Sequence, residues 1–182
     1  MRTFLYFGLT GAVGLTMLVA GTGHLIRSSD FAREVMSQRL IPARAARFAA
    51  RSIAVVEMLL GVAVLLSAVR LVPERAITWI LAAGAVMAAG FAAYAALLLK
   101  LRPGAPCACF GSSRPVSASS VARALALSAF AVIAAVAYRS ELVLSTQEGL
   151  ISAAAAVATA SLLIAAPDSI EGMTIHSRRR PA

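Results

Sequence analysis

The chain has 182 residues, of which 60% are hydrophobic and only 14% are charged, and its mean hydropathy is +0.84. A soluble domain usually has about 25% charged residues, so this composition excludes an ordinary water-soluble protein and predicts one transmembrane domain over residues 1–182. A net charge of +9 would also suit nucleic-acid binding, but the arginines stand between apolar runs. That placement favours membrane orientation and contact with membrane lipid, and no nucleic acid.

Five apolar runs are candidates for membrane helices, because each approaches the roughly 20 residues that cross the hydrocarbon layer. They lie at about 4–26, 52–69, 76–99, 121–138 and 149–166. The runs are continuous and lack the period-two alternation of barrel strands, and a helix satisfies its own backbone hydrogen bonds in lipid. The predicted fold class is therefore all-α, a polytopic membrane helical bundle with four to five transmembrane helices. The first run is expected to be a retained helix rather than a signal peptide, because no hydrophilic domain follows it.

A short amphipathic segment follows the first run, at residues 30–40. Phe31, Val35 and either Gln38 or Arg39 recur at helical spacing within it. Basic amphipathic helices of this kind lie on a membrane surface. We therefore expect an interfacial helix between the first two membrane spans.

The basic residues predict an orientation. With five spans, most of the 17 lysines and arginines fall on one side, in the segment after the first helix, the loop at 100–120 and a basic tail at 167–182. Cytoplasmic loops are enriched in basic residues, so the N-terminus is expected outside and the loop at 100–120 in the cytoplasm. The other side receives only Arg2, Arg70, Arg75 and Arg139.

Four residues with chemical function converge on one end of the predicted bundle. His24 ends the first helix, Glu57 stands in the second, and Cys107 and Cys109 follow the third. A carboxylate in hydrocarbon costs several kcal/mol and finds a partner. Glu57 is therefore either a proton acceptor or part of a helix–helix contact, with His24 or Arg51 as its partner. His24 is a candidate for the same site or for a structural hydrogen bond at the interface.

The two cysteines stand in the sequence PCACFG, flanked by prolines, glycine and basic residues. Neighbouring positive charge lowers the pKa of a thiol and makes it reactive, and a strained disulfide between close cysteines is of the labile, catalytic kind. Structural zinc takes four ligands, usually with two to four residues between paired cysteines, so no metal is predicted. The residues alone leave three alternatives: a redox pair, two inert thiols, and a metal site that His24 and Glu57 would have to complete.

The chain resembles a known family in the order of these features. GTGHLIRSSDF, then a turn at proline, then VVEMLLGVAVLL and finally PCACFG resemble the MauE proteins within the wider DoxX-like group, over roughly 21–123. The most specific parts are the PCxCFG loop and Glu57 followed by Gly61. The family often has glycine between the cysteines where this chain has Ala108, and alanine lacks the freedom of glycine at positive φ.

The resemblance implies a thiol-disulfide redox component of the bacterial plasma membrane. It would act with a thioredoxin-like partner in forming disulfides of exported proteins. Cys107 and Cys109 would be the redox pair, with His24 and Glu57 in supporting positions. The bundles of DsbB and vitamin K epoxide reductase are similar in general design and pass electrons to a quinone, which makes a quinone the candidate cofactor, but this chain has no second cysteine pair. Disulfide formation outside the cell implies an outward-facing loop, whereas the arginines predict a cytoplasmic one. The alternative function is a non-enzymatic assembly factor or scaffold that binds quinone or lipid between its helices.

Overall fold

The computed structural model describes residues 2–106, 115–138 and 146–178. These residues form helices only, apart from an isolated antiparallel bridge between Pro106 and Pro115. The predicted all-α polytopic bundle is confirmed. The helices are α1 (Arg2–Ile26), α2 (Ser28–Ser37), α3 (Ala43–Ala68), α4 (Glu74–Leu101), α5 (Ala118–Ala137) and α6 (Thr146–Arg178).

Four of these helices are long and apolar enough to cross a membrane. The qualifying segments are Leu5–Ile26 of α1 and the whole of α3, α4 and α5. The apolar part of α6, Glu148–Ile164, is shorter than these four. Helix α6 also continues beyond the predicted end at residue 166, as far as Arg178.

Helix α1 is the centre of the bundle. It packs against α3, α5 and α6, and it is the most deeply buried of the four long helices. Helix α4 packs mainly against α5, where the Ser128 hydroxyl donates a hydrogen bond to the Ala85 carbonyl at 3.0 Å. The central core draws side chains from α1, α3, α4 and α5, among them Tyr6, Val13, Met17, Val64, Ile77, Leu81 and Ala131.

The outer surface of the bundle is apolar. Large hydrophobic side chains on α3 to α6 are well exposed, including Val56, Trp79, Val86, Val136 and Leu162. A soluble monomer rarely presents so continuous an apolar surface, so this surface fits contact with lipid tails. The four long helices and this surface together indicate a membrane protein.

Helix α3 begins at Ala43 instead of the predicted Ser52. The difference arises because a hydropathy pattern counts Arg44, Arg47 and Arg51 as loop. In the structure their side chains are exposed on the outer side of the helix. The alanines of the same turns, Ala46, Ala50 and Ala54, face inward and are buried.

Helix α2 lies along these first turns of α3. It begins at Ser28, before the predicted start at Asp30, and buries Phe31 and Val35 against the inward-facing alanines of α3. Because successive long helices run in opposite directions, α1 and α4 end towards this side of the bundle, and α3 and α5 start from it. We call this end of the bundle, which also holds α2, the α2 side.

Candidate functional site

The α1–α3 interface is unusually close around Glu57. A Cβ atom at Gly21 would lie 2.5 Å from the amide nitrogen of Met58, and one at Gly61 would lie 2.6 Å from the amide nitrogen of Leu18. Contacts this short do not occur for real side chains, so only glycine permits the two backbones to touch. The interface therefore fixes the position of the residues next to these glycines.

His24 and Glu57 meet in this interface. Their Nε2 and Oε2 atoms are 3.6 Å apart, and the two residues are only 5% and 6% exposed. This separation is longer than a hydrogen bond, and Oε2 has no hydrogen-bond partner among the described residues. Because α3 starts at Ala43, Glu57 lies roughly 20 Å along the helix from its first residue at 1.5 Å per residue. It is therefore in the middle of α3, deeper than a start at Ser52 implied.

Phe31 covers one face of the histidine. The rings of His24 and Phe31 are stacked, with centroids 4.0 Å apart and planes 15° from parallel. Phe31 is itself buried between α2 and the alanines of α3. The imidazole is thus enclosed by an aromatic ring on one side and faces the carboxyl group of Glu57 on another. A carboxyl group and an imidazole this close can exchange a proton after a small movement of either side chain.

Gln38, at the end of α2, forms a second buried polar contact. Its side chain is 2% exposed. The Nε2 atom donates a hydrogen bond to the Pro106 carbonyl at 2.9 Å, and Oε1 accepts one from the Tyr94 hydroxyl of α4. A carbonyl oxygen only accepts hydrogen bonds, so the amide nitrogen must face Pro106 and the amide oxygen must face Tyr94. We call these three residues the Gln38 clamp.

The clamp acts at the base of the predicted cysteine loop. Pro106 pairs with Pro115 in the antiparallel bridge, and the Val116 amide donates a hydrogen bond to the Ala105 carbonyl at 2.8 Å. Val116 is buried against Ala95 and Leu98 of α4. The two ends of the loop are thus held together and against the bundle. Cys107 and Cys109 themselves lie outside the described residues.

Gln38 and Phe31 connect the two polar contacts through α2. They are seven residues apart, which is about 10 Å along a helix. The structure therefore brings His24 and Glu57 together and places the base of the cysteine loop one short helix away from them. Sequence reasoning missed the clamp, although a glutamine on the apolar face of an amphipathic segment and a tyrosine in an apolar helix are the signals that could have suggested it.

The surroundings of the loop base are positive. Lys100 and Arg102 are exposed where α4 ends, a few residues before Pro106. Positive groups next to a thiol favour its thiolate form. Within the described ranges, no group of three or more histidine, cysteine, aspartate or glutamate side chains is arranged to hold a metal ion.

Comparison with known proteins gives one family. The family model described as methylamine utilisation protein MauE matches residues 2–138, which include α1 to α5 and the whole cysteine loop. No curated protein and no solved structure matches the chain.

Proposed function

The chain belongs to the MauE family, and from that membership we propose that it is a membrane thiol-disulfide redox component that serves methylamine utilisation. It would act with a thioredoxin-like partner in the formation or maturation of disulfides in exported proteins. The observation that carries the proposal is the anchored loop base. Gln38 holds the carbonyl of Pro106, and the two cysteines of the chain, Cys107 and Cys109, come immediately after Pro106 in the sequence PCAC.

The reaction is a thiol-disulfide exchange between Cys107, Cys109 and the partner. A thiolate of the pair attacks the disulfide of the partner, which forms a mixed disulfide and releases one partner thiolate. The second cysteine then attacks the mixed disulfide, so that a Cys107–Cys109 disulfide forms and the partner leaves as a dithiol. Two electrons pass from the pair to the partner and the number of thiol protons is unchanged. The reaction is reversible, and the difference between the two reduction potentials sets its direction. Formation of disulfides uses the reverse direction, in which the Cys107–Cys109 disulfide accepts two electrons from the partner dithiol and leaves the partner oxidised.

His24 and Glu57 have a supporting place in the proposal. Their contact is buried about one short helix from the loop base, so they are not expected to touch the reacting sulfur atoms. A carboxyl group retained within an apolar bundle is a functional candidate by default. We propose that His24 and Glu57 transfer protons near the loop base, with the carboxyl group and the imidazole as proton donor and proton acceptor.

The first test is to trap the mixed disulfide. Cys107→Ser and Cys109→Ser each remove one of the two sulfurs, so the single variant that keeps the attacking cysteine should accumulate an adduct that the missing thiol cannot resolve. Acid quenching, alkylation and non-reducing electrophoresis should reveal a thioredoxin-like protein in that adduct. Ser112→Ala, in the same loop, keeps both sulfurs and should accumulate none.

The double variant decides between the proposal and its alternative. A host that carries Cys107→Ser/Cys109→Ser should not grow on methylamine, because the exchange needs both thiols. Full growth of this variant would reject a redox role for the pair. It would leave the bundle as a scaffold or assembly factor, which should then copurify with a large partner.

The orientation of the loop is a separate part of the proposal. We place the α2 side in the cytoplasm of a bacterial cell, with anionic lipid headgroups at the exposed Arg44, Arg47 and Arg51. After reduction, a membrane-impermeant maleimide should label Cys107 and Cys109 in lysed cells but not in intact spheroplasts. Arg75→Cys, introduced into a cysteine-free chain at the start of α4, should label in both. Labelling of the native cysteines in intact spheroplasts would place the α2 side outside.

A further inference from the structure

We infer that Gln38 and Tyr94 are positioning residues that set the reactivity of the cysteine pair by fixing the loop base. The inference rests on the proposed function only where it concerns redox chemistry. Its structural part rests on three described contacts: Gln38 with Pro106, Gln38 with Tyr94, and the pairing of Pro106 with Pro115.

The carbonyl of Pro106 needs a partner from outside the loop. Successive carbonyls of an extended segment point in opposite directions. Ala105 directs its carbonyl to the Val116 amide, so the carbonyl of Pro106 points away from the bridge and into the space that Gln38 fills. A buried carbonyl left without a donor destabilises the local structure. Gln38 thus completes the hydrogen bonding of the residue that precedes Cys107.

Tyr94 makes the glutamine a fixed donor. A glutamine side chain has several rotatable bonds, and holding it in one conformation has an entropic cost. The hydroxyl of Tyr94 holds the amide oxygen, and this orients the amide nitrogen toward Pro106. Gln38 itself directly follows α2, a helix that is packed on α3 through Phe31 and Val35. The loop base is therefore tied through two side chains to α2 and α4, which pack on the rest of the bundle.

Proline at both bridge positions explains why side chains perform this task. Pro106 and Pro115 have no backbone N–H group, so on the side that faces away from the bridge each offers a carbonyl acceptor and no donor. Among the described residues, the Val116–Ala105 hydrogen bond and the clamp hold the loop base. Loss of the clamp should alter the position of the residue next to Cys107 while the helices stay folded.

The test measures thiol reactivity and the midpoint potential of the Cys107/Cys109 pair in the purified full-length protein in detergent. Gln38→Leu removes both hydrogen bonds of the clamp, Gln38→Glu keeps the acceptor for Tyr94 but loses the amide donor, and Tyr94→Phe removes one hydroxyl only. We expect Gln38→Leu and Gln38→Glu to change the alkylation rate by about fivefold or more, the scale of one lost hydrogen bond to a buried partner. The midpoint potential should shift as well, and Tyr94→Phe should have a smaller effect in the same direction.

Ser37→Ala is the matched control. Ser37 is the neighbour of Gln38, is exposed, and its hydroxyl donates only to the Glu34 carbonyl within α2, so its removal should leave both readouts at the wild-type value. A wild-type alkylation rate and midpoint potential in both Gln38→Glu and Tyr94→Phe would overturn the inference. If Gln38→Leu does not fold, Gln38→Glu and Tyr94→Phe still test the inference. If the clamp variants change reactivity while the cysteine double variant grows normally, the positioning role stands and the proposed function fails.

Discussion

Two buried polar contacts join helices on the α2 side, and they differ in how fully their atoms are paired. In the Gln38 clamp, the amide donates to Pro106 and accepts from Tyr94. In the His24–Glu57 pair, the closest atoms are 3.6 Å apart and one carboxyl oxygen has no hydrogen bond within the described chain. The clamp is neutral and satisfied, whereas the pair is ionisable and incompletely satisfied.

This difference indicates different roles. A satisfied buried network rigidifies its surroundings and specifies one arrangement. A buried ionisable pair is a weak source of stability, because apolar side chains of similar volume often serve the fold as well or better. Positions that break the rules of stable packing concentrate at functional sites. The clamp is thus suited to holding a loop in place, and the pair to a chemical task for which some stability is given up.

The surroundings of the two contacts differ in the same sense. The His24–Glu57 pair sits between backbones that touch at Gly21 and Gly61, so its two helices cannot move apart without losing many contacts. The clamp lies outside the α1–α3 interface and connects the end of α2 and the helix α4 to the base of the cysteine loop. The His24–Glu57 pair is therefore held in place by close helix packing, whereas the base of the cysteine loop is held by the hydrogen bonds of the clamp.

The largest expected effect comes from separating the two helices around the pair. In Gly61→Ala the new Cβ would meet the amide nitrogen and Cα of Leu18, and a backbone cannot yield as a side chain can. We expect the free energy of unfolding to fall by about 3 kcal/mol or more, the upper end of the usual cost of overpacking. Thermal unfolding in detergent measures this loss.

Gly90→Ala is the control for that substitution. Gly90 is on α4, and beyond its own stretch of helix no heavy atom of the described residues lies within 4 Å of the position that its Cβ would take. The change should therefore be neutral or stabilising by up to about 1 kcal/mol from helix propensity. In the folded fraction of Gly61→Ala, the alkylation rate of the cysteines should stay at the wild-type value, because the clamp does not involve α1. Equal melting of the two alanine variants would contradict the close α1–α3 contact.

The sequence predicted most of the fold because the bundle follows from apolar run lengths. The runs that became α1, α4 and α5 end within a few residues of their predicted bounds, and the MauE resemblance is confirmed. The start of α3 was missed because arginine lowers hydropathy whether it lies in a loop or on the outer face of a helix. Long basic side chains reach solvent from a helix whose alanines are buried, and a single sequence does not distinguish the two cases at Arg44 or Arg51.

The candidate site was predictable only in part. His24 and Glu57 stood out because ionisable residues are rare in apolar runs, and threading brought them to one region. The partner of Gln38 could not be foreseen, since it is a backbone carbonyl 68 positions along the chain and backbone groups carry no sequence signal. The roles of Cys107 and Cys109 stay predictions, because both lie outside the described residues.

A smaller effect is expected from removing the partners of the ionisable pair one at a time. His24→Leu leaves the carboxyl group of Glu57 buried without its neighbour, and the loss should be about 1–3 kcal/mol, the cost of an unsatisfied buried group. His24→Leu/Glu57→Leu removes both polar groups and should recover part of that loss. Val56 lies on the exposed face of α3, next to Glu57 in the sequence, and Val56→Leu should unfold like the wild type. Thermal unfolding of the wild type, His24→Leu, Glu57→Leu and the double variant gives the coupling between the two residues.

The double variant then separates stability from function. If the pair handles protons for the exchange reaction, His24→Leu/Glu57→Leu should be nearly as stable as the wild type and yet fail to support growth on methylamine. The Gln38 variants should show the opposite pattern in the purified protein, with altered thiol reactivity while the His24–Glu57 contact is intact. Normal growth of the stable double variant would instead make His24 and Glu57 a packing contact between α1 and α3. The incomplete hydrogen bonding of the pair would then not indicate a chemical role, and the redox chemistry would be confined to Cys107 and Cys109.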